Sequence, residues 1–154
     1  MSLDETPDLT HDLALALDVA DAADAFTLPH FHEADFDIDW KRNRTEVTEI
    51  DRRAETMIVD RLLHERPRHG AFGEEHGPLG DADSPWQWVI DPIDGTSGFV
   101  RGIPIWATLI ALVHAERGAV LGVVSAPALG RRWWGGLGLG ATVSVFDDER
   151  PIVV

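Results

Sequence analysis

The segment Trp88-Val89-Ile90-Asp91-Pro92-Ile93-Asp94-Gly95-Thr96 constrains the fold more than any other stretch of the chain. Val89 and Ile90 are β-formers beside tryptophan, so they predict a buried strand. Asp91-Pro92 predicts where it stops, because proline removes the next ladder donor. Acidic side chains are thereby expected to emerge at a strand end. Asp91 and Asp94 flank a rigid proline, Gly95 is free to take φ > 0, and Thr96 adds a hydroxyl, so two carboxylates and a turn can converge on one point. Two carboxylates with a carbonyl such as that of Ile93 suit a hard cation such as Mg²⁺, and the N–H groups of Gly95 and Thr96 can face a phosphate. On spacing alone the same string reads better as an Asx turn closed by glycine.

Two upstream segments bear on that choice: Gly73-Glu74-Glu75, and Val47-Thr48-Glu49-Ile50-Asp51 at an expected helix start. Singly, each is a solvated turn or an N-cap. Taken together, in this order, the three segments resemble the inositol monophosphatase superfamily of Mg²⁺-dependent, lithium-sensitive phosphatases. The resemblance continues through Phe99-Val100-Arg101-Gly102-Ile103-Pro104-Ile105-Trp106 to Leu112 and through Gly122-Val123-Val124-Ser125-Ala126-Pro127 to Trp134. It is strongest to the histidinol-phosphate phosphatase branch, which serves histidine biosynthesis, and covers the chain from about Asp18 onward.

At 154 residues the chain is expected to form one domain, 1–154, with a single core. Apolar residues make up 44% and the mean hydropathy is −0.09, as in a globular protein. A formal charge of −14 argues against a nucleic-acid partner, which requires clustered Lys and Arg. It does not exclude a small phosphorylated metabolite, since bound metal ions can invert the field within a cleft. There is no cysteine, no basic leader and no apolar run near the roughly 20 residues that span a bilayer, so a cytoplasmic protein without a membrane partner is expected.

The order of elements predicts an α+β fold. A helix is expected from about Asp8 to Phe31, with Leu9, Leu13, Leu17 and Ala20 on one face and Asp12, Asp18, Asp21 and Asp24 on a solvated face. His30 and His32 are expected at its surface. Phe36–Trp40 alternates like a short, half-exposed strand, and Lys41 opens a loop. A second helix should start at Thr48, with Asp51 completing a capping box and Ile50, Ala54, Met57, Ile58, Arg61 and Leu62 as its buried stripe. Residues 68–85 read as a loop. Ile105–Val113 reads as a central strand covered on both faces, joined by a turn at Glu116-Arg117-Gly118 to a strand from Ala119 to Ser125. Arg131–Trp134 reads as a third strand with snorkelled arginines, and Gly135–Gly140 as a β-turn leading to Thr142–Phe146.

The resemblance implies more than these patterns. It implies the first α-β portion of an α-β-α-β-α fold, with helices on a mainly antiparallel sheet. It also implies two or three Mg²⁺ ions, inhibition by Li⁺, and Glu74, Asp91, the Ile93 carbonyl and Asp94 as ligands. By the same likeness, Asp51 becomes a ligand of metal-held water rather than only a cap, and Lys41 belongs to a loop that moves over the metals. Thr96, backed by Asp51 or Glu74, would orient the attacking water, while Gly95, Thr96 and Ser97 would hold the phosphate.

Three departures from the family pattern stand beside these. Thr45-Glu46 replaces Thr-Pro, Ser97-Gly98 replaces Lys-Asn or Thr-Asn, and the sequence stops at Pro151–Val154, which reads as the first strand of a second half that in the family carries another aspartate and is expected to be absent here. A lone terminal strand is an edge prone to self-association, so a homodimer or higher assembly is expected. Two alternatives to a histidinol-phosphatase remain open: a catalytically incompetent remnant serving as an interaction module, and a phosphatase for inositol monophosphate or an adenosine bisphosphate.

Overall fold

The computed structural model describes residues 5–40 and 46–153, without the side chains of Glu46 and Val47. Lys41 and the Thr45 departure lie outside the described residues. Helix α1 (Thr10–Glu33) and helix α2 (Glu49–Glu65) pack on each other and on one face of a sheet. At the start of α1, Asp8 Oδ1 accepts the Thr10 N–H at 3.0 Å, and the helix ends in a left-handed residue, Ala34. Its buried stripe is Ala16, Val19, Ala20, Ala23 and Thr27. These small residues let α1 lie close to its neighbours, while Leu13 and Leu17 pack only at the margin.

A separate two-stranded ribbon pairs β1 (Ile38–Trp40) with β2 (Glu46–Thr48). The main sheet has eight strands: β3 (Gly70–Gly73), β4 (Gly77–Gly80), β5 (Trp86–Asp94), β6 (Ala107–His114), β7 (Gly118–Ala126), β8 (Arg131–Gly136), β9 (Gly140–Val145) and β10 (Asp148–Pro151). Its order is β10-β9-β8-β7-β6-β5-β3-β4, and every pair is antiparallel except β3 with β5. A five-residue helix α3 (Thr96–Val100) follows β5, and a 3₁₀ turn covers Pro127–Leu129. The α+β layering and the mainly antiparallel sheet are as expected. Among the described residues no helix is long and apolar enough to cross a membrane.

One face of β5, β6 and β7 supplies Trp88, Ile90, Ile110, Leu112 and Val123 to the core with Ile58, Val59 and Leu62 of α2. A second cluster joins Ile50, Ile93, Phe99 and Trp106, with Phe31 and Phe36 packed against it. This cluster fixes α3 and the start of α2 beside the end of β5.

Several expectations are corrected. Residues 68–85 are not a loop. They contain the β3–β4 hairpin, whose short glycine-bounded strands lack the β-branched residues that announce a strand. β5 does not stop at Asp91-Pro92. Because β3 ends at Gly73 opposite Ile90, β5 continues against β6 alone, and a bulge between Asp91 and Asp94 accommodates the proline. β6 is covered on one face only, since Leu109, Ala111 and Val113 are half-buried beside the exposed Val89 and Val124. Arg61 of α2 is exposed. Residues 148–151 pair with β9 as β10, and Val154 lies outside the described residues.

The acidic face of α1 is only partly solvated. Arg66 Nε lies 2.6 Å from Asp12 Oδ1. Arg132 reaches across from β8 to Asp21 and Asp24, each at 2.7 Å, instead of snorkelling to solvent.

Candidate active site

Parallel pairing brings two acids side by side. β3 and β5 run in the same direction with Gly73 opposite Ile90, so Glu74, just past the end of β3, comes level with Asp91 within β5. The Glu74 N–H still donates to Ile90 O at 3.1 Å, holding the two chains together at that point. Oδ1 of Asp91 is buried and, among the described residues, has no hydrogen-bond partner. Burial, then a hydrogen bond with Glu74, then the charges of Glu74, Asp94 and Asp51 push the Asp91 carboxyl up to about 8.

Asp51 and Thr96 meet next to it. Thr48 caps α2, its hydroxyl accepting the N–H groups of Ile50 and Asp51 at 3.1 and 3.3 Å. In return Asp51 Oδ2 accepts the Thr48 N–H at 3.0 Å and its O–H at 2.7 Å. This capping box consumes one carboxylate oxygen and aims the other at Thr96, whose hydroxyl lies 2.8 Å from Asp51 Oδ1 and 3.0 Å from the Ile93 carbonyl. Asp51 is only 1% exposed. Burial raises its pKa, against the hydrogen bonds from Thr48 and Thr96 that lower it.

Gly95 opens α3 with φ +90°, and a Cβ there would lie 2.9 Å from the Ile105 carbonyl, so both conformation and space require glycine. No side chain caps α3. Ser97 is exposed, and its carbonyl and hydroxyl accept from Arg101 Nη1 at 2.9 and 2.6 Å. Asp94 is exposed at the end of β5, opposite Ala107. The structure thus gathers Asp51, Glu74, Asp91, the Ile93 carbonyl and Thr96, with Asp94, Gly95 and Ser97 at the rim.

Among the described residues no group of three or more His, Asp or Glu side chains forms a ready-made metal cage. The donors nonetheless fit Mg²⁺, which keeps several waters and is held by one or two carboxylates with substrate phosphate rather than by an all-protein cage. A buried, partnerless carboxylate oxygen beside a second acid is the observation that meets this test.

A model of the inositol monophosphatase family matches residues 8–152. The chain belongs to the inositol monophosphatase family. Over 131 residues it is 52% identical to the histidinol-phosphatase of Streptomyces coelicolor, covering 83% of this chain and 48% of that protein. Over 140 residues it is 49% identical to the histidinol-phosphatase of Mycobacterium tuberculosis, covering 91% of this chain and 53% of that one. Among solved structures, the extragenic suppressor protein SuhB of Bartonella henselae superposes with a TM-score of 0.81 at 28% identity, over 87% of this chain and 52% of that chain. The IMPase of Thermotoga maritima gives 0.78 at 32% identity, over 87% and 51%. The chain spans about half the length of the curated relatives it matches.

Within the inositol monophosphatase frame, the sequence patterns missed Glu55. It is wholly buried on α2, one turn after Asp51 and between Ala54 and Ile58 on the inward face. A second acid, one turn after Asp51 and between apolar Ala54 and Ile58, was the available signal.

Proposed function

We propose that this chain carries the cation- and water-binding residues of a Mg²⁺-dependent phosphomonoesterase of the histidinol-phosphate type. The observation that carries the proposal is the Glu74–Asp91 pair, with its partnerless buried oxygen, beside the Thr96–Asp51 hydrogen bond. The identity to two histidinol-phosphatases supports the choice of substrate.

Mg²⁺ held by Glu74, Asp91, the Ile93 carbonyl and Asp94 would supply the positive charge that stabilises phosphoryl transfer and acidifies a water. The chain's own groups do the rest. With its proton committed to Asp51 Oδ1, the Thr96 hydroxyl offers a lone pair to an attacking water and orients it. The water proton passes to Thr96 Oγ1 as the Thr96 proton passes to Asp51 Oδ1. Burial makes Asp51 a better proton acceptor than an exposed carboxylate, and Thr48 fixes its plane. The water oxygen bonds to phosphorus as the ester oxygen departs on the opposite side and takes a proton from solvent. The uncapped N–H groups of Gly95 and Thr96, with the Ser97 hydroxyl, receive the phosphate oxygens. No covalent phosphoenzyme is required.

Inhibition by Li⁺ belongs to the same proposal, as does self-association along β10, a sheet-edge strand exposed along its whole length. Size-exclusion chromatography tests the latter. For the activity, phosphate release from histidinol phosphate, inositol monophosphate and adenosine 3′,5′-bisphosphate would be measured with and without Mg²⁺. Release from histidinol phosphate that requires Mg²⁺ and disappears in Asp91→Asn is expected. Release that Asp91→Asn leaves unchanged overturns the proposal, and preference for another ester reassigns the substrate.

A further inference from the structure

Glu55 is 0% exposed, and apart from Asp51 one turn earlier its neighbours on the inward face of α2 are apolar. A buried carboxylate costs far more than the alanine or isoleucine that surrounds it, so its retention calls for bonds of matching strength. Those bonds all come from one turn. Glu55 Oε1 accepts the Glu75 N–H at 2.8 Å, and Oε2 accepts the His76 N–H at 2.7 Å. The His76 ring nitrogen Nδ1 contacts the same Oε2. The fit is close on the other side too, since a Cβ on Gly73 would fall 2.2 Å from Glu55 Cδ. Glycine at 73 and glutamate at 55 therefore occupy a single shared volume.

The turn so held is the one that presents Glu74. It joins β3 to β4, and Gly73 pairs with Gly77 across its base. Three successive N–H groups are fixed from outside it: Glu74 by Ile90 O of β5, Glu75 and His76 by Glu55 of α2. Backbone freedom at Glu74 is thereby removed, leaving only its side-chain rotamers. Asp51, four residues earlier on the same helix, fixes Thr96 in a comparable way. One helix thus aligns both halves of the candidate site.

We propose that Glu55 is a positioning residue: through the amides of Glu75 and His76 it holds the Gly73–His76 turn so that Glu74 meets a divalent cation together with Asp91. The proposal rests on the cation-binding reading given above. Groups that orient ligands from behind change cation affinity by about 10- to 100-fold when altered.

Glu55→Gln is the discriminating variant. It keeps the shape but turns one acceptor into a donor, so one of the two amides loses its partner. The 154-residue chain and this variant would be titrated with Mn²⁺ calorimetrically, with folding followed by circular dichroism and amide hydrogen exchange of Glu75 and His76 by NMR. The expected result is a folded variant with Mn²⁺ affinity lowered about 10- to 100-fold and faster exchange at those two amides. Val59→Ala, a core change on the same helix, is expected to lower the melting temperature and leave the affinity unchanged.

A folded Glu55→Gln variant that binds Mn²⁺ like the unaltered chain overturns the proposal, as does an equal loss of affinity in Val59→Ala. Should Glu55→Gln fail to fold, exchange in the unaltered chain decides: slow amides at Glu75 and His76 support the clamp, and free-turn rates overturn it. An unaltered chain that binds no Mn²⁺ would instead remove the cation-binding reading. The exchange comparison would then still report whether Glu55 holds the turn.

Discussion

The hydroxyl of Thr96 lies 2.8 Å from Oδ1 of Asp51, which joins the first turn of α3 to the first turn of α2. The bond closes a chain of contacts from a helix cap to a phosphate-facing turn. Thr96→Val keeps the shape and leaves a carboxylate oxygen of a 1% exposed residue unpartnered. A loss of about 1–3 kcal/mol in urea unfolding is expected. Phosphate release should fall by at least about 10²-fold, and Thr96→Ser should retain most of both quantities.

Asp91 is expected to contribute a pH dependence to the stability of the chain. Burial, with Glu74 beside it, raises the carboxyl from 3.8 to about 8. The folded state thus binds the proton more tightly than the unfolded state. The contribution of Asp91 is fully present below 3.8 and is lost as pH rises through about 8. Asp91→Asn cannot ionise, so it should match the unaltered chain in acid and exceed it in stability at alkaline pH. Urea midpoints across that range check the sign. Mg²⁺ should raise the melting temperature of the unaltered chain and leave Asp91→Asn unmoved.

Arg132 ties β8 to α1 through Asp21 and Asp24, and Ser125 also donates to Asp24 at 2.7 Å. Burial raises the Asp24 pKa, and Ser125 and Arg132 oppose that rise. Arg132→Ala would strand this partly buried acid. The cost should be about 2–3 kcal/mol, below the 3–5 of a wholly buried pair because the sites keep some solvent. Asp24→Ala combined with Arg132→Ala should cost less than the sum of the single changes, measured by a double-mutant cycle.

Gly95→Ala forces a side chain into φ +90° and within 2.9 Å of the Ile105 carbonyl. A destabilisation of roughly 1–3 kcal/mol is expected, larger than an exposed glycine would give. Since α3 begins at the next residue, phosphate release should drop as well. Parallel thermal melts and phosphate assays separate the two effects.

What local patterns carry was readable before any fold was known. Thr48 and Asp51 announced their helix because a capping box needs only neighbouring residues. The β6–β7 hairpin, the glycine turn before β9 and the left-handed Gly95 follow likewise from short-range sterics. Asp91-Pro92 suggested a strand end on local sterics, but β5 keeps its pairing with β6 and runs through a bulge to Asp94.

Pairing between distant segments was not readable. β3 is four residues with glycine at both ends, so nothing in its composition says strand. Only its hydrogen bonds to β5 make it one and set Glu74 next to Asp91. The same holds for Glu55, whose burial is tolerable only because a turn about 20 residues away supplies amides. It holds also for Arg132, which finds its acids on a helix more than 100 residues earlier. Side-chain chemistry and local backbone preference are properties of neighbouring residues, and these the chain fixes for itself. Which carboxylates share one site, and which are neutralised elsewhere, depends on strand register and helix packing, and those arise only when distant segments bury their apolar faces together.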